Sequence, residues 1–225
     1  MALKLQDVVI IGVAVLVLTV ISSPNTITHS SPSPAPQYQY QAQYQPQATP
    51  TGDPRDTGVR IDITPIVTSA NQYWSQQLSG YRPPGVSIHS GITPSACGPI
   101  HSPAAYCALD ATVYLDQWML ETLKQLAGTH NTVDSAAFIV AHEIGHHVQN
   151  LLNLPRDYNF EHEADCASGA WAAYAMAQGM GVSQSGILAA AESVGSHNQA
   201  SNHGSKATRR AKTLKGMEGG PSACF

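Results

Sequence analysis

The residues with the clearest capacity for chemistry lie in one short run, AHEIGHHVQ, at positions 141–149. The run contains His142, Glu143 and His146 in the spacing H-E-x-x-H. Two histidines four residues apart project from one face of a helix, where their ring nitrogens can bind one zinc ion. Glu143 lies about 100° around the helix from His142, so its carboxylate can reach a water molecule on the metal. The run therefore predicts a zinc site with a general base beside it.

A second run, FEHEADC at 160–166, offers the remaining ligand. Glu161 and Asp165 are four residues apart and share a helix face. If this helix packs antiparallel to the first, the rise of 1.5 Å per residue brings Glu161 level with His146. Asp165 then lies one turn deeper, beside His142, where it can accept a hydrogen bond from the second ring nitrogen. We expect Glu161 to be the third ligand and Asp165 to orient His142.

Three neighbouring side chains are weaker candidates for the metal. His162 and Glu163 are rival ligands, but they point about 100° and 200° away from Glu161 on an ideal helix. His147 is off the metal face, and we interpret it as an ordinary polar residue. Two histidines and one carboxylate leave a fourth position open for water, which is typical of a catalytic rather than a structural zinc site.

The elements that must position these residues are mainly helices, so we expect a helix-rich α+β domain. An apolar stripe on the first metal helix should face the core; its members are Ala137, Val140, Ile144, Val148 and Leu151. Asp134 is a candidate cap for that helix, which should end near Leu152. The other helices are predicted at 65–79, 117–127, 158–178, 187–193 and 206–216, and strands at 86–89 and 112–115.

The cysteines indicate an oxidising compartment. The chain has four cysteines, which allow three pairings, and no C-x-x-C pair. Two disulfides are the natural interpretation for an exported protein. A Cys97–Cys107 bond would close a short loop rich in Gly and Pro, and a Cys166–Cys224 bond would hold the C-terminal tail.

The N-terminus predicts export. Residues 8–21 are uninterrupted by charge and read as a membrane anchor or a signal segment within 1–23, with an uncleaved single-pass anchor favoured. Residues 24–57 form a Pro/Gln/Tyr-rich linker that cannot bury enough apolar surface to fold, and it should be disordered. Residues 58–225 remain as one domain, which we expect outside the cytoplasm. If the N-terminal segment is cleaved, the protein is secreted.

Composition excludes some functions. The formal net charge of −4, from 11 basic and 15 acidic residues, argues against a general nucleic-acid binder. Charged residues make up only 12% of the chain, too few to flank a coiled-coil seam.

Several motifs together resemble a known family, the bacterial "putative neutral zinc metallopeptidases". They are ACG at 96–98, YC at 106–107, Asp110, YLD at 114–116, AHEIGHHVQ at 141–149, E-x-x-x-D-C at 161–166 and HGS at 203–205. The family resembles gluzincins and usually has an N-terminal transmembrane segment. The resemblance implies a zincin-like fold, one Zn²⁺ held by His142, His146 and Glu161, and Glu143 as the catalytic base.

The expected activity is hydrolysis of a protein or peptide substrate by a zinc-activated water. A donor must also stabilise the oxyanion; we expect His203 of the HGS segment, with Tyr114 and Tyr158 as alternatives. Two other functions stay open: a non-proteolytic zinc-binding envelope or assembly protein with the same fold, and an envelope-binding module that uses the linker. The sequence leaves the substrate and the oligomeric state open.

Overall fold

A computed structural model describes residues 62–119, 132–195 and 204–225. The predicted membrane segment, the linker, most of the predicted helix at 117–127 and His203 lie outside the described residues, and those assignments stay predictions. In the described ranges, no helix is long and apolar enough to cross a membrane. The helices are α1 Thr64–Gln77, α2 Thr132–Leu151, α3 Phe160–Ala177, α4 Gln184–Ser193 and α5 Lys206–Gly219, followed by a 3₁₀ helix at Pro221–Ala223.

The described helices lie close to where the sequence predicts them. Pro65 stands in the first turn of α1, where its missing N–H costs no hydrogen bond. α2 ends near the predicted position, and Asn153 follows with a positive φ of 57° in the turn before α3. The expectation of a helix-rich α+β domain is therefore confirmed for the described residues.

The sheet has three short strands, of which the sequence predicted two. They are β1 Gly85–His89, β2 Ala104–Cys107 and β3 Thr112–Asp116, in the order β1-β3-β2. β1 pairs with β3 in parallel, and β2 pairs with β3 antiparallel. β2 lies between the two bonded cysteines, where the sequence predicts no strand, and it is an edge strand of this sheet.

The core lies around α2, which is buried on almost every side. The predicted stripe is buried as expected, apart from the half-buried Leu151 at its end. Phe138 of the same helix and the indoles of Trp74 and Trp171 are also fully enclosed. Polar side chains of α2 are buried as well, and hydrogen bonds or ligands normally stabilise such groups.

One capping prediction is wrong. Asp134 lies in the first turn of α2, but its carboxylate accepts hydrogen bonds from the backbone N–H and the hydroxyl of Ser183. Ser183 is itself the N-cap of α4, and its hydroxyl accepts from the N–H of Gly186. Asp134 therefore joins α2 to the start of α4 instead of capping its own helix.

Both expected disulfides are present. Cys97 is bonded to Cys107, and Cys166 is bonded to Cys224. The first bond attaches the loop after β1 to the end of β2, and the second attaches the C-terminal tail to α3.

Candidate metal centre

The antiparallel packing of α2 and α3 brings the predicted ligands together. One ligand atom from each of His142, His146 and Glu161 can be chosen so that all three lie within 4.8 Å of one another. The Nε2 of His142 is 3.2 Å from one Glu161 oxygen, and the Nε2 of His146 is 3.5 Å from the other. This donor set of two imidazoles and one carboxylate is typical of a catalytic zinc site.

A glycine permits the close approach of these two helices. A Cβ at Gly145 would lie 3.1 Å from the Cα and the carbonyl oxygen of Ala164. Gly145 stands immediately before His146, and Ala164 follows Glu161 by three residues. The missing side chain at Gly145 therefore contributes directly to the distance between the ligands.

Asp165 occupies the position predicted for it. Its Oδ1 is 3.0 Å from the Nδ1 of His142, so it accepts the ring N–H that faces away from Glu161. This hydrogen bond fixes the ring so that Nε2 points at the candidate metal position.

Sequence reasoning missed the partner of Asp165. Arg209 of α5 is buried, and its Nε and Nη2 donate to the two Asp165 oxygens at 2.9 and 2.6 Å. No spacing rule links position 209 to position 165. Gly216 of α5 packs directly against α3, where a Cβ would overlap the carbonyl oxygen of Cys166. Because Gly216 has no side chain, the two helices can lie close together.

The charges of the metal-free site favour a cation between the two helices. Burial lowers the pKa of His142, but hydrogen bonds from its ring to Asp165 and Glu161 outweigh burial and raise it to about 9. Burial, together with the positive charge of His142, lowers the pKa of His146 to about 4. His142, His146 and Glu161 would hold a metal ion in place of the proton that the raised pKa assigns to His142. The residues present fit zinc.

Glu143 lies beside the ligands with the properties of a general base. It lines a cavity of about 810 Å³ together with His142, His146 and Glu161. Burial raises the pKa of its carboxyl to about 7 in the metal-free protein. A carboxylate with a raised proton affinity next to a metal site can take a proton from a water molecule.

The weaker candidates lie outside the candidate metal group. Glu163 accepts a hydrogen bond from the amide of Gln149. His162 lies against Gly204, where a Cβ would approach its Nε2, and it is not in the metal group. His147 is off the metal face as expected, but it is buried: its Nε2 donates to the carbonyl of Arg82 and its Nδ1 accepts from the Tyr106 hydroxyl.

The two alternative oxyanion donors do not line this cavity. The Tyr114 hydroxyl donates to Asp110, whose carboxylate also holds the backbone N–H groups of Ala96 and Thr112. Tyr158 is 78% exposed on the loop before α3. His203 lies outside the described residues, so the identity of this donor stays a prediction.

Comparison with known proteins agrees with this geometry. Residues 4–160 match the family described as "putative neutral zinc metallopeptidase". The chain belongs to this family. The match ends one residue before Glu161, so the assignment of the third ligand depends on the contacts above.

Two relatives carry the description "uncharacterized protein". The chain is 32% identical to the uncharacterized protein Rv2575 of Mycobacterium tuberculosis over 139 residues, which cover 56% of this chain and 47% of the relative. It is 27% identical to the uncharacterized protein YpfJ of Escherichia coli over 165 residues, or 63% of this chain and 55% of the relative. The chain thus spans about half the length of the curated relatives it matches. No solved structure matches it.

Proposed function

We propose that this protein is a zinc-dependent peptidase with a zincin-like domain. The observation that carries the proposal is the group formed by His142, His146 and Glu161, with the Glu143 carboxylate in the same cavity. Membership of the metallopeptidase family supports it. A protein that only stored or sensed zinc would not need a buried carboxylate beside an open coordination position.

In this mechanism Glu143 moves the protons. Zinc, when bound, lowers the pKa of a coordinated water and polarises the scissile carbonyl. Glu143 accepts a proton from the attacking water and later donates it to the leaving amine. Asp165 and Arg209 hold His142 in place throughout, because the three side chains form one buried hydrogen-bonded chain.

The edge strand β2 suits an extended peptide substrate. Asp116 N–H donates to the Pro103 carbonyl, and Ala104 pairs with Leu115. In an antiparallel pair these contacts leave the N–H and C=O of Ala104 and Tyr106 pointing away from β3. Both residues line the cavity with Glu143, so a peptide can add to the sheet there as another strand.

Export and membrane attachment are part of the proposal. All four cysteines are in disulfides, which supports an oxidising compartment, and residues 8–21 would attach the domain to the outer face of the cytoplasmic membrane. The proposed partners are therefore this membrane and a protein or peptide substrate.

Peptide hydrolysis by matched full-length variants tests the proposal. A complex peptide mixture is incubated with the wild type, Glu143→Gln and the control Glu218→Gln, which changes an exposed carboxylate on α5, and new termini are counted by mass spectrometry. We expect zinc in all three proteins and a loss of hydrolysis of about 10²- to 10⁴-fold in Glu143→Gln alone. Equal hydrolysis by Glu143→Gln would refute the mechanism. Zinc without hydrolysis in the wild type would favour the non-proteolytic alternative.

A further inference from the structure

The buried amide of Gln149 lies next to the metal ligands without a role in the site described so far. Gln149 is on α2, three residues after His146, so the two side chains share one helix face. Its side chain is 0% exposed. A buried amide of this kind must satisfy both its oxygen and its nitrogen within the protein.

The orientation of this amide follows from its partners. Its nitrogen is 2.8 Å from the backbone carbonyl of Phe160 and 2.9 Å from a carboxylate oxygen of Glu163. Both partners only accept hydrogen bonds, so the nitrogen must face them and the oxygen must face the other way. That oxygen is 2.8 Å from the Nδ1 of His146.

Two consequences for the ligands follow. Because an amide oxygen only accepts, Nδ1 of His146 carries the ring proton, and Nε2 presents its lone pair toward Glu161. Phe160 and Glu163 stand on either side of Glu161 in the first turn of α3. Hydrogen bonds to both of them hold the turn that carries the third ligand.

We propose that Gln149 is a positioning residue that prepares two of the three metal ligands at once. It selects the tautomer of His146 directly, and it holds Glu161 through the first turn of α3. Gln149 orients His146 as Asp165 orients His142, but it uses a neutral amide instead of a carboxylate. The inference about zinc rests on the proposed function, whereas the tautomer of His146 does not.

The test variant is Gln149→Met in the full-length protein, because methionine has a similar length and cannot make these hydrogen bonds. The ring of Phe160, which stacks on His146 with the centroids 4.5 Å apart, is unchanged in this variant. The substitution therefore removes the hydrogen bonds of the amide and keeps this aromatic contact. The control is Val148→Ala, which removes buried volume from the adjacent core-facing position of α2 without touching a ligand.

Two measurements are made on each variant. Zinc affinity comes from competition with a chelator, and the tautomer of His146 comes from nitrogen NMR of the metal-free protein. We expect Gln149→Met to bind zinc about 10- to 100-fold more weakly than the wild type. We also expect its His146 ring to lose the single Nδ1–H tautomer. Val148→Ala should keep both the affinity and the tautomer.

Three outcomes would overturn the inference: unchanged zinc affinity in Gln149→Met, an unchanged His146 tautomer, or an equal loss of affinity in Val148→Ala. If the wild type itself binds no zinc, the proposed function fails. The tautomer comparison then still decides whether Gln149 positions His146.

Discussion

Replacing Arg209 by methionine should destabilise the protein strongly, because Arg209 neutralises a carboxylate that water cannot reach. Asp165 is 0% exposed, and two of its contacts are charge-assisted hydrogen bonds from Arg209 at 2.6 and 2.9 Å. Breaking a buried ion pair by removing one partner costs about 3–5 kcal/mol. We expect a loss in this range for Arg209→Met.

The double variant Asp165→Asn/Arg209→Met separates this charge effect from lost packing. Once the carboxylate is replaced by an amide, Arg209→Met no longer removes one partner of a buried ion pair. The double variant should therefore lose less stability than the two single variants together, with a coupling energy of about 2–3 kcal/mol. Urea unfolding in the presence of a chelator measures these values, with the buried Trp74 and Trp171 as fluorescent reporters. A loss below about 1 kcal/mol for Arg209→Met, or additive single variants, would refute the reasoning.

Asp165 should also control zinc affinity through His142. Asp165→Ala should weaken zinc about 10- to 100-fold, and Asp165→Asn should weaken it less because the amide oxygen can still accept the His142 N–H. Chelator competition measures both affinities. Unchanged affinity in Asp165→Ala would mean that the hydrogen bond at 3.0 Å does not orient the ligand.

Three further perturbations test other parts of the fold. In the metal-free protein the folded pKa of Glu143 is raised to about 7. Burial favours the protonated, uncharged carboxyl. Its contribution to the free energy of unfolding is therefore complete below the unfolded pKa and is lost as the pH rises through 7. Glu143→Gln should therefore gain up to about 3 kcal/mol over the wild type between pH 4.5 and 8, and equal urea midpoints across this range would contradict it. Gly145→Val should push Ala164, and with it α3, away from α2 and reduce zinc affinity at least about 10-fold; chelator competition that finds no loss would show that this close contact does not set the distance between the ligands. Replacing Cys166 and Cys224 by serine opens a loop of sequence separation 58, which should cost about 4 kcal/mol and lower the melting temperature; an unchanged melting temperature would count against it.

The candidate metal site could be predicted from the sequence because its geometry is local. The four-residue spacings fix which side chains share a helix face, and a short connection between two helices fixes their antiparallel register. The predicted neighbours His146 and Glu161, and His142 and Asp165, are the pairs that the structure brings into contact. Gln149 could have been found in the same way, since it lies three residues after His146.

The remaining features depend on contacts between distant parts of the chain. Arg209 meets Asp165 across 44 residues, and nothing local distinguishes it from Arg210, which pairs with Glu192 in an exposed position. β2 is a strand because it pairs with β3, while its own sequence, AAYC, follows a proline and shows no alternation. The burial of His147 likewise depends on the Arg82 carbonyl, which is 65 residues away.

The zinc content of three full-length proteins tests the central claim most directly. The proteins are the wild type, Glu161→Ala and Glu163→Ala, which removes the rival carboxylate two residues away on the same helix turn. Elemental analysis after equilibration with zinc and removal of unbound metal should find one zinc per chain in the wild type and in Glu163→Ala. It should find essentially none in Glu161→Ala. Zinc retained by Glu161→Ala but lost from Glu163→Ala would contradict the ligand set and the register of α2 and α3.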